Sequence, residues 1–451
     1  SRMFRSSILG FSASGLLALS HWHLQYSKKS VETISLSTLF MVGLACFYKG
    51  LKRPAWLILS GLFFGLASAA YSPGKLFVPM FLFVLFLTNF SYLKNHLKHF
   101  LLASLAFLVI FIPVFTDGIF GKSGTRFSHV SVFTDPTTAA TVDSRRLESI
   151  LSSGIDRVVG LSPRLVDKIL INKPEQIGSK VIANYMTTLG TEYLFLKGDT
   201  EPRHSPSKDS IGMLQLIDIL PFVLGIVVIL SGARAQSKNL ALILFWLLLA
   251  PIPSALTRDG GGHAARTFIM LPALIMIITL GHKYIFSKSR ILYTLYLILY
   301  TFSTFFVYGY YFTMYRTESA KPYQWGFDWA IQKAVAASPK YDHVYVDGGR
   351  DTLLMAYLFN AQKDPATFQK ILPLQDEEIF PDARALRFGN IYFLAPGTRR
   401  WTDILGSARF EGNNLVIASG DQPLITDQIK AKSETLYYPG TVFSAFHIFT
   451  K

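Results

Sequence analysis

Five cations stand in short polar segments between long apolar runs: Lys28, Lys29, Lys75, Arg258 and Arg266. The last two flank Gly260-Gly-Gly-His263, and His263 lies three residues before Arg266, so an early helix start would put both on one face. Consecutive glycines permit positive φ and close backbone approach, and a helix beginning near Thr267 would offer N–H groups and a positive dipole end. This is chemistry for an anion, because a guanidinium makes a bidentate, charge-assisted pair with phosphate oxygens. A plainer reading stands beside it: the cations are snorkelling side chains that meet lipid phosphates. Glu32 opens an apolar run, where its carboxylate complements the dipole of the helix that follows. Arg203 and His204 follow Asp199 and Glu201 in a polar loop, where a local ion pair competes with ligand contact. His21 and His23 flank Trp22; their spacing does not share a helical face, so they read as part of an interfacial aromatic belt with Tyr26 and Tyr71 rather than as metal ligands.

The elements that position these residues are apolar. Hydrophobic residues make up 50% of the 451-residue chain and charged residues only 16%, with mean hydropathy +0.33, whereas about a quarter of a soluble chain is charged. Nine apolar stretches, at 6–20, 33–48, 55–70, 76–90, 99–115, 213–231, 239–256, 267–281 and 291–309, read as membrane spans. The first resembles a signal-peptide core, but the spans that follow make it a span too. The lone Cys46 sits in such a run, as a packing residue.

Alternate loops are basic: Lys49, Lys52 and Arg53; Lys94 and Lys98; Arg234 and Lys238; Lys283, Lys288 and Arg290, with Arg2 and Arg5 before the first span. Positive charge marks the cytoplasmic side. Segments 21–32, 71–75, 116–212, 257–266 and everything beyond about residue 310 then lie outside. The chain divides into spans over 1–115, a large outer loop over 116–212 with amphipathic helices at Ser162–Ile171 and Ile177–Leu189, spans over 213–309, and an outer domain over 310–451. In that last region helical patterns at Gln324–Ala337 and Thr352–Ala361 alternate with strand patterns at His343–Val346, Ile391–Leu394 and Leu415–Ala418, which predicts a small α/β domain. A net charge of +15, distributed in loops, suits an anionic lipid surface and not nucleic acid.

Four stretches in fixed order resemble motifs of GT-C superfamily membrane glycosyltransferases of the family 39 type, which includes protein mannosyltransferases and the lipid A aminoarabinose transferase. They are Ala18-Leu-Ser-His-Trp-His-Leu-Gln-Tyr-Ser-Lys-Lys-Ser-Val-Glu32, Gly61-Leu-Phe-Phe-Gly-Leu-Ala-Ser-Ala-Ala-Tyr-Ser-Pro-Gly-Lys75, Gly198-Asp-Thr-Glu-Pro-Arg-His204, and Pro251-Ile-Pro-Ser-Ala-Leu-Thr-Arg-Asp-Gly-Gly-Gly-His-Ala-Ala-Arg266. The resemblance covers roughly residues 1–310. It implies a GT-C-like polytopic α-helical fold in the cytoplasmic (inner) membrane, and transfer of a sugar from polyprenyl phosphate to a glycan, lipid or protein acceptor outside the cytoplasm.

It also implies a catalytic Asp in a first outer loop, expected upstream of Ser1, with Glu32 at a second acidic position. Arg266, His263, Lys75 and Arg258 are then candidates for the donor phosphate, with Gly260–Arg266 as its cradle. Arg203, His204 and Tyr71 are candidates for sugar or acceptor contacts. No organic cofactor is implied; a divalent cation is compatible. A lipid-linked polysaccharide ligase or polymerase would share the large outer loop and the cations. A transporter would too, but should carry ionisable residues in mid-span, and these spans are almost free of charge.

Overall fold

The computed structural model describes residues 6–29, 31–152, 165–207, 209–231, 237–347, 350–370, 376–380, 383–394, 412–420 and 433–450. It divides into two compact units, Ser1–Tyr311 and Phe312–Lys451. In the first unit each of the nine apolar stretches holds a helix: Ser7–Ala18, Glu32–Gly50, Trp56–Ala70, Gly74–Thr88, Leu97–Phe120, Ile219–Leu230, Ser237–Leu249, Leu271–Lys288 and Arg290–Phe312. Among the described residues four helices are long and apolar enough to cross a membrane, namely Glu32–Gly50, Leu97–Phe120, Ala264–Lys288 and Arg290–Glu318. The remaining apolar helices have at most 17 residues, which at about 1.5 Å per residue falls short of a hydrocarbon layer about 30 Å thick.

Burial sorts these helices by position. Every residue from Leu271 to His282 is buried, so this helix is surrounded by others. The helix Leu97–Phe120 buries none of its residues. Cys46 is buried, as a packing role requires.

Glycines show how the helices run against one another. A Cβ on Gly61 would stand 2.0 Å from the Ala103 carbonyl oxygen, and one on Gly65 would stand 3.2 Å from that of Phe107. The contacts advance together, so Trp56–Ala70 and Leu97–Phe120 are parallel, as alternating spans demand. A second pair runs against expectation. Gly225 meets the Ile277 carbonyl at 2.0 Å by the same measure, while Gly281 meets that of Pro221 at 1.8 Å. The order is reversed, so Ile219–Leu230 is antiparallel to Leu271–Lys288, whereas alternation makes 213–231 and 267–281 parallel. Tyr296 agrees: its hydroxyl donates to Ile217 O at 3.2 Å while its ring packs on His282. Alternation read from loop charge fixes the direction of every span, so this pair departs from it, and the C-terminal ends of the two helices lie at opposite ends of the pair.

The region 116–212 is more helical than its composition suggests. Lys122–Val130 and Thr137–Ser152 precede Leu165–Leu170 and Lys173–Leu189; the start of the helix expected at Ser162–Ile171 lies outside the described residues. Lys173–Leu189 begins at Asn172, whose side chain accepts from Glu175 N–H at 2.9 Å, with Pro174 in the first turn.

The second unit is built on a seven-stranded mixed sheet of order β2-β3-β4-β1-β5-β7-β6. Its strands are β1 His343–Asp347, β2 Asp376–Phe380, β3 Ala383–Phe388, β4 Ile391–Leu394, β5 Asn414–Ser419, β6 Glu434–Tyr437 and β7 Ser444–Thr450. The central β4-β1-β5 run is parallel and both edges are antiparallel. Val344, Val346, Ile391, Phe393, Leu415 and Ile417 form a core with Ala330, Ile331 and Leu353 of the helices Phe327–Ala337 and Arg350–Asn360.

Candidate functional site

One end of the first unit is assembled from segments far apart in sequence. The short helix His21–Ser27 is its floor. His21 Nε2 lies 2.8 Å from Gly212 O; a carbonyl only accepts, so Nε2 carries the proton. Burial pushes this imidazole down to about 4, against the raising effect of that hydrogen bond. Gln25 donates to Ser205 O at 3.0 Å and Arg203 O at 3.3 Å. Trp22, fully buried, packs edge-on against Tyr193 and Phe268. Tyr193 belongs to a π-helical turn, Glu192–Leu196, and its hydroxyl meets Thr267 Oγ1 at 2.7 Å. Thr267 in turn donates to His263 O at 3.0 Å. His21, Trp22 and Tyr26 are buried, so they are core and not the interfacial belt expected: a belt needs one face in lipid headgroups, and these rings are enclosed by protein.

Above this floor, Asp199, His204 and His263 converge, with one ligand-capable atom from each within 4.8 Å of the others. Gly198, at φ +76°, turns the chain into the loop, and a Cβ there would lie 2.7 Å from Ser205 Oγ. Asp199 Oδ2 accepts from Ala264 N–H at 2.8 Å and pairs with His204 Nδ1 at 3.2 Å, while Oδ1 accepts from Glu201 N–H at 2.9 Å. Burial opposes the ionised carboxyl, but the hydrogen bonds from His204, Ala264 and Glu201 outweigh it and hold Asp199 below its ordinary value. The imidazoles of His204 and His263 stack at 4.5 Å. Burial, helped by the Arg266 and His204 charges, pushes His263 down to about 4. Its Nδ1 is buried without a hydrogen-bond partner. At neutral pH the cluster therefore offers an ionised carboxylate and at least one neutral imidazole.

The other expected site residues are engaged elsewhere. Arg266 makes a fork to Asp259, 2.7 Å to Oδ1 and 3.3 Å to Oδ2, and donates to Thr257 Oγ1 at 2.7 Å. That pair holds Asp259 low against the opposing effect of burial. His263 turns to His204 instead, so the pair does not act from one face: the short helix Ala264–Thr267 starts at His263, which sits at the N-cap in extended backbone. Arg258 donates to the carbonyls of Ser131 and Thr134 at 3.1 and 2.6 Å, stapling the outer region to this loop.

The glycine cradle needs the same correction. A Cβ on Gly260 would lie 1.8 Å from Ser254 O, and Gly262, at φ +74°, donates its N–H to Thr188 Oγ1 at 3.2 Å. The glycines serve close packing, and the first helical N–H is taken by Asp199. Lys75 lies beside Gly118, its ammonium 3.4 Å from where a Cβ would stand. Tyr71 is half-buried against the core, and Glu32 is exposed in the first turn of its helix. Arg203 pairs with Glu201 at 3.1 Å on the surface, beside His204. Sequence reasoning named Asp199 only as an ion-pair partner and did not join His204 to His263, because no fixed spacing links two loops that meet only in the fold.

No family model, curated protein or solved structure matches the chain.

Proposed function

We propose that the chain is a polytopic membrane glycosyltransferase, and that Asp199, His204 and His263 hold a divalent cation where a polyprenyl-phosphate-linked sugar docks. The observation that carries the reading is convergence. Three of the four stretches that resemble the family 39 type meet here: Gln25 bonds to Arg203 O and Ser205 O, and Asp199 bonds to Ala264 N–H. A common ancestor's motifs have reason to meet at a site, and unrelated polar loops have none.

The membrane part rests on the four long apolar helices and on exposed apolar faces such as that of Leu97–Phe120. The basic stretches Lys49–Arg53, Lys94–Lys98 and Lys283–Arg290 favour the outer face for the site, although Ile219–Leu230 departs from their alternation. The donor set suits a borderline cation such as Zn2+ or Mn2+: two imidazoles and a carboxylate, with His263 kept neutral and a buried, partnerless Nδ1 available. When bound, such an ion offsets the charge of a departing phosphate. The protein's own part is positional. Asp199 fixes both loops through the Ala264 and Glu201 amides, and the Trp22–Tyr193–Phe268 floor keeps water from beneath the cluster. Arg203, beside His204, supplies exposed positive charge towards an incoming anion.

The test is metal content and donor binding in the detergent-purified chain. About one equivalent of metal per chain is expected by elemental mass spectrometry, with loss on His263→Ala. Unchanged metal content and donor binding in His263→Ala would remove the reading.

A further inference from the structure

A cavity of about 430 Å3 lies at the opposite end of the first unit, between the helices Glu32–Gly50, Trp56–Ala70, Gly74–Thr88 and Leu97–Phe120. That volume is within the range of about 300–1,000 Å3 usual for small-ligand pockets. Its walls are hydrocarbon and aromatic, with Phe47, Leu57, Phe64, Leu85, Phe86 and Phe100 among them. Of its two serines, Ser60 already donates to Gly43 O at 2.8 Å, so what enters need bring no hydrogen-bonding group. Phe83 and Leu108 also line it and are 62% and 40% exposed, so the cavity opens on the apolar outer surface of the helices.

The rim is basic. Lys52 and Arg53 are exposed in the turn just before the wall residue Leu57; Lys94 is exposed next to the wall residue Leu93, and Lys98 is exposed in the first turn of Leu97–Phe120, two residues before the wall residue Phe100. Tyr92 Oη donates to Gly50 O at 2.7 Å and joins these two turns at the same end. Lys49 lies over the Trp56 ring at 4.2 Å. No Asp or Glu occurs between Glu32 and Asp117, which stand at the far ends of their helices, so no carboxylate of these helices lies at the rim.

We infer that the cavity seats one acyl chain of an anionic phospholipid whose headgroup phosphate is held by Lys52, Arg53, Lys94 and Lys98. This rests on the membrane reading above but not on sugar transfer. An apolar hole open to hydrocarbon takes a chain, and four exposed cations with no local carboxylate select a negative headgroup, as expected for the leaflet that basic loops face. The donor site is excluded as the occupant's source: Thr33 Oγ1 donates to Ala265 O at 3.1 Å beside the cluster, and the wall residue Phe47 stands further along the same helix, about 20 Å away at 1.5 Å per residue.

The full chain, extracted in a mild non-ionic detergent, is examined by native mass spectrometry with added phosphatidylglycerol or phosphatidylcholine of identical acyl chains. The parent is expected to retain one phosphatidylglycerol with about tenfold preference, and the surface variant K52A/R53A/K94A/K98A to lose that preference. Ser104→Phe, which fills the cavity and leaves the rim, should lower retention of both lipids; Ser104→Leu serves if the larger ring prevents folding. Equal retention of the two lipids by the parent, unchanged preference in the rim variant, or recovery of polyprenyl phosphate in their place would overturn the assignment. Lipid retention needs no sugar donor, so its failure leaves the proposed transfer untouched, whereas loss of metal and donor binding with lipid selectivity intact would count against that function alone.

Discussion

The sheet of the second unit is buried at its centre and the Asp199–His204–His263 cluster of the first only in part, and the two are held in different ways. In the sheet, β1, β4 and β5 satisfy one another's backbone groups, and alternate side chains fill the core. Around Asp199 the loops carry little regular ladder, and side chains do that work: Asn184 donates to the carbonyls of Ala255 and Thr257, His21 to that of Gly212, and Ser254 to that of Gly260. A sheet tolerates a lost side-chain bond because the ladder remains. A loop held by side chains loses a partner that no ladder replaces, and an orphaned carbonyl is costly.

Predictions that would break this contrast run from large to small. Trp22→Ala should lower the stability of the first unit by about 3–5 kcal/mol, since it opens a cavity beneath the site; denaturant unfolding followed separately in the two units should show the second unchanged. Asn184→Leu removes two donations into the 255–257 turn and is expected to cost about 1–3 kcal/mol. If instead it behaves like an exposed substitution, the Asn184 side chain does not hold this turn. Arg266→Ala removes a fork to Asp259, whose side chain is 65% exposed, and a donation to Thr257 Oγ1, so it should cost about 1–2 kcal/mol. Donor affinity should fall less in Arg266→Ala than in His263→Ala, the reverse of what a phosphate cradle at Arg266 requires. Glu32→Gln, at an exposed helix start, should change stability by only about 0.3–1 kcal/mol in thermal melts.

The same contrast explains what the sequence disclosed. Apolar runs located all nine helices, and strand periodicity found β1, β4 and β5, because both signals are local. The edge strands escaped: β2 reads Asp376-Glu-Glu-Ile-Phe380 and β6 reads Glu434-Thr-Leu-Tyr437, too polar or too short to announce a strand. His204 and His263 were each visible as candidates, but their meeting depends on Asp199 reaching Ala264 N–H across two loops. The fork between Asp259 and Arg266, seven residues apart, lay in plain view. It was passed over because glycines between them suggested an open loop, while the structure uses those glycines to pack the loop shut. Charge counting likewise could not foresee that Ile219–Leu230 opposes Leu271–Lys288, since that pairing is set by Gly225 and Gly281.

The most direct test of the central claim is isothermal titration of a polyprenyl-phosphate-linked sugar into the full chain, before and after chelation, in the parent and in Asp199→Asn. Asp199→Asn keeps the side chain's size and shape but weakens the carboxylate's hold on any cation. The account predicts that chelation weakens donor binding in the parent by about tenfold or more, that added Zn2+ or Mn2+ restores it, and that Asp199→Asn resembles the chelated parent in either condition. Donor binding that is indifferent both to chelation and to Asp199→Asn would contradict it, and would leave the Asp199–His204–His263 cluster as a clip that joins two loops.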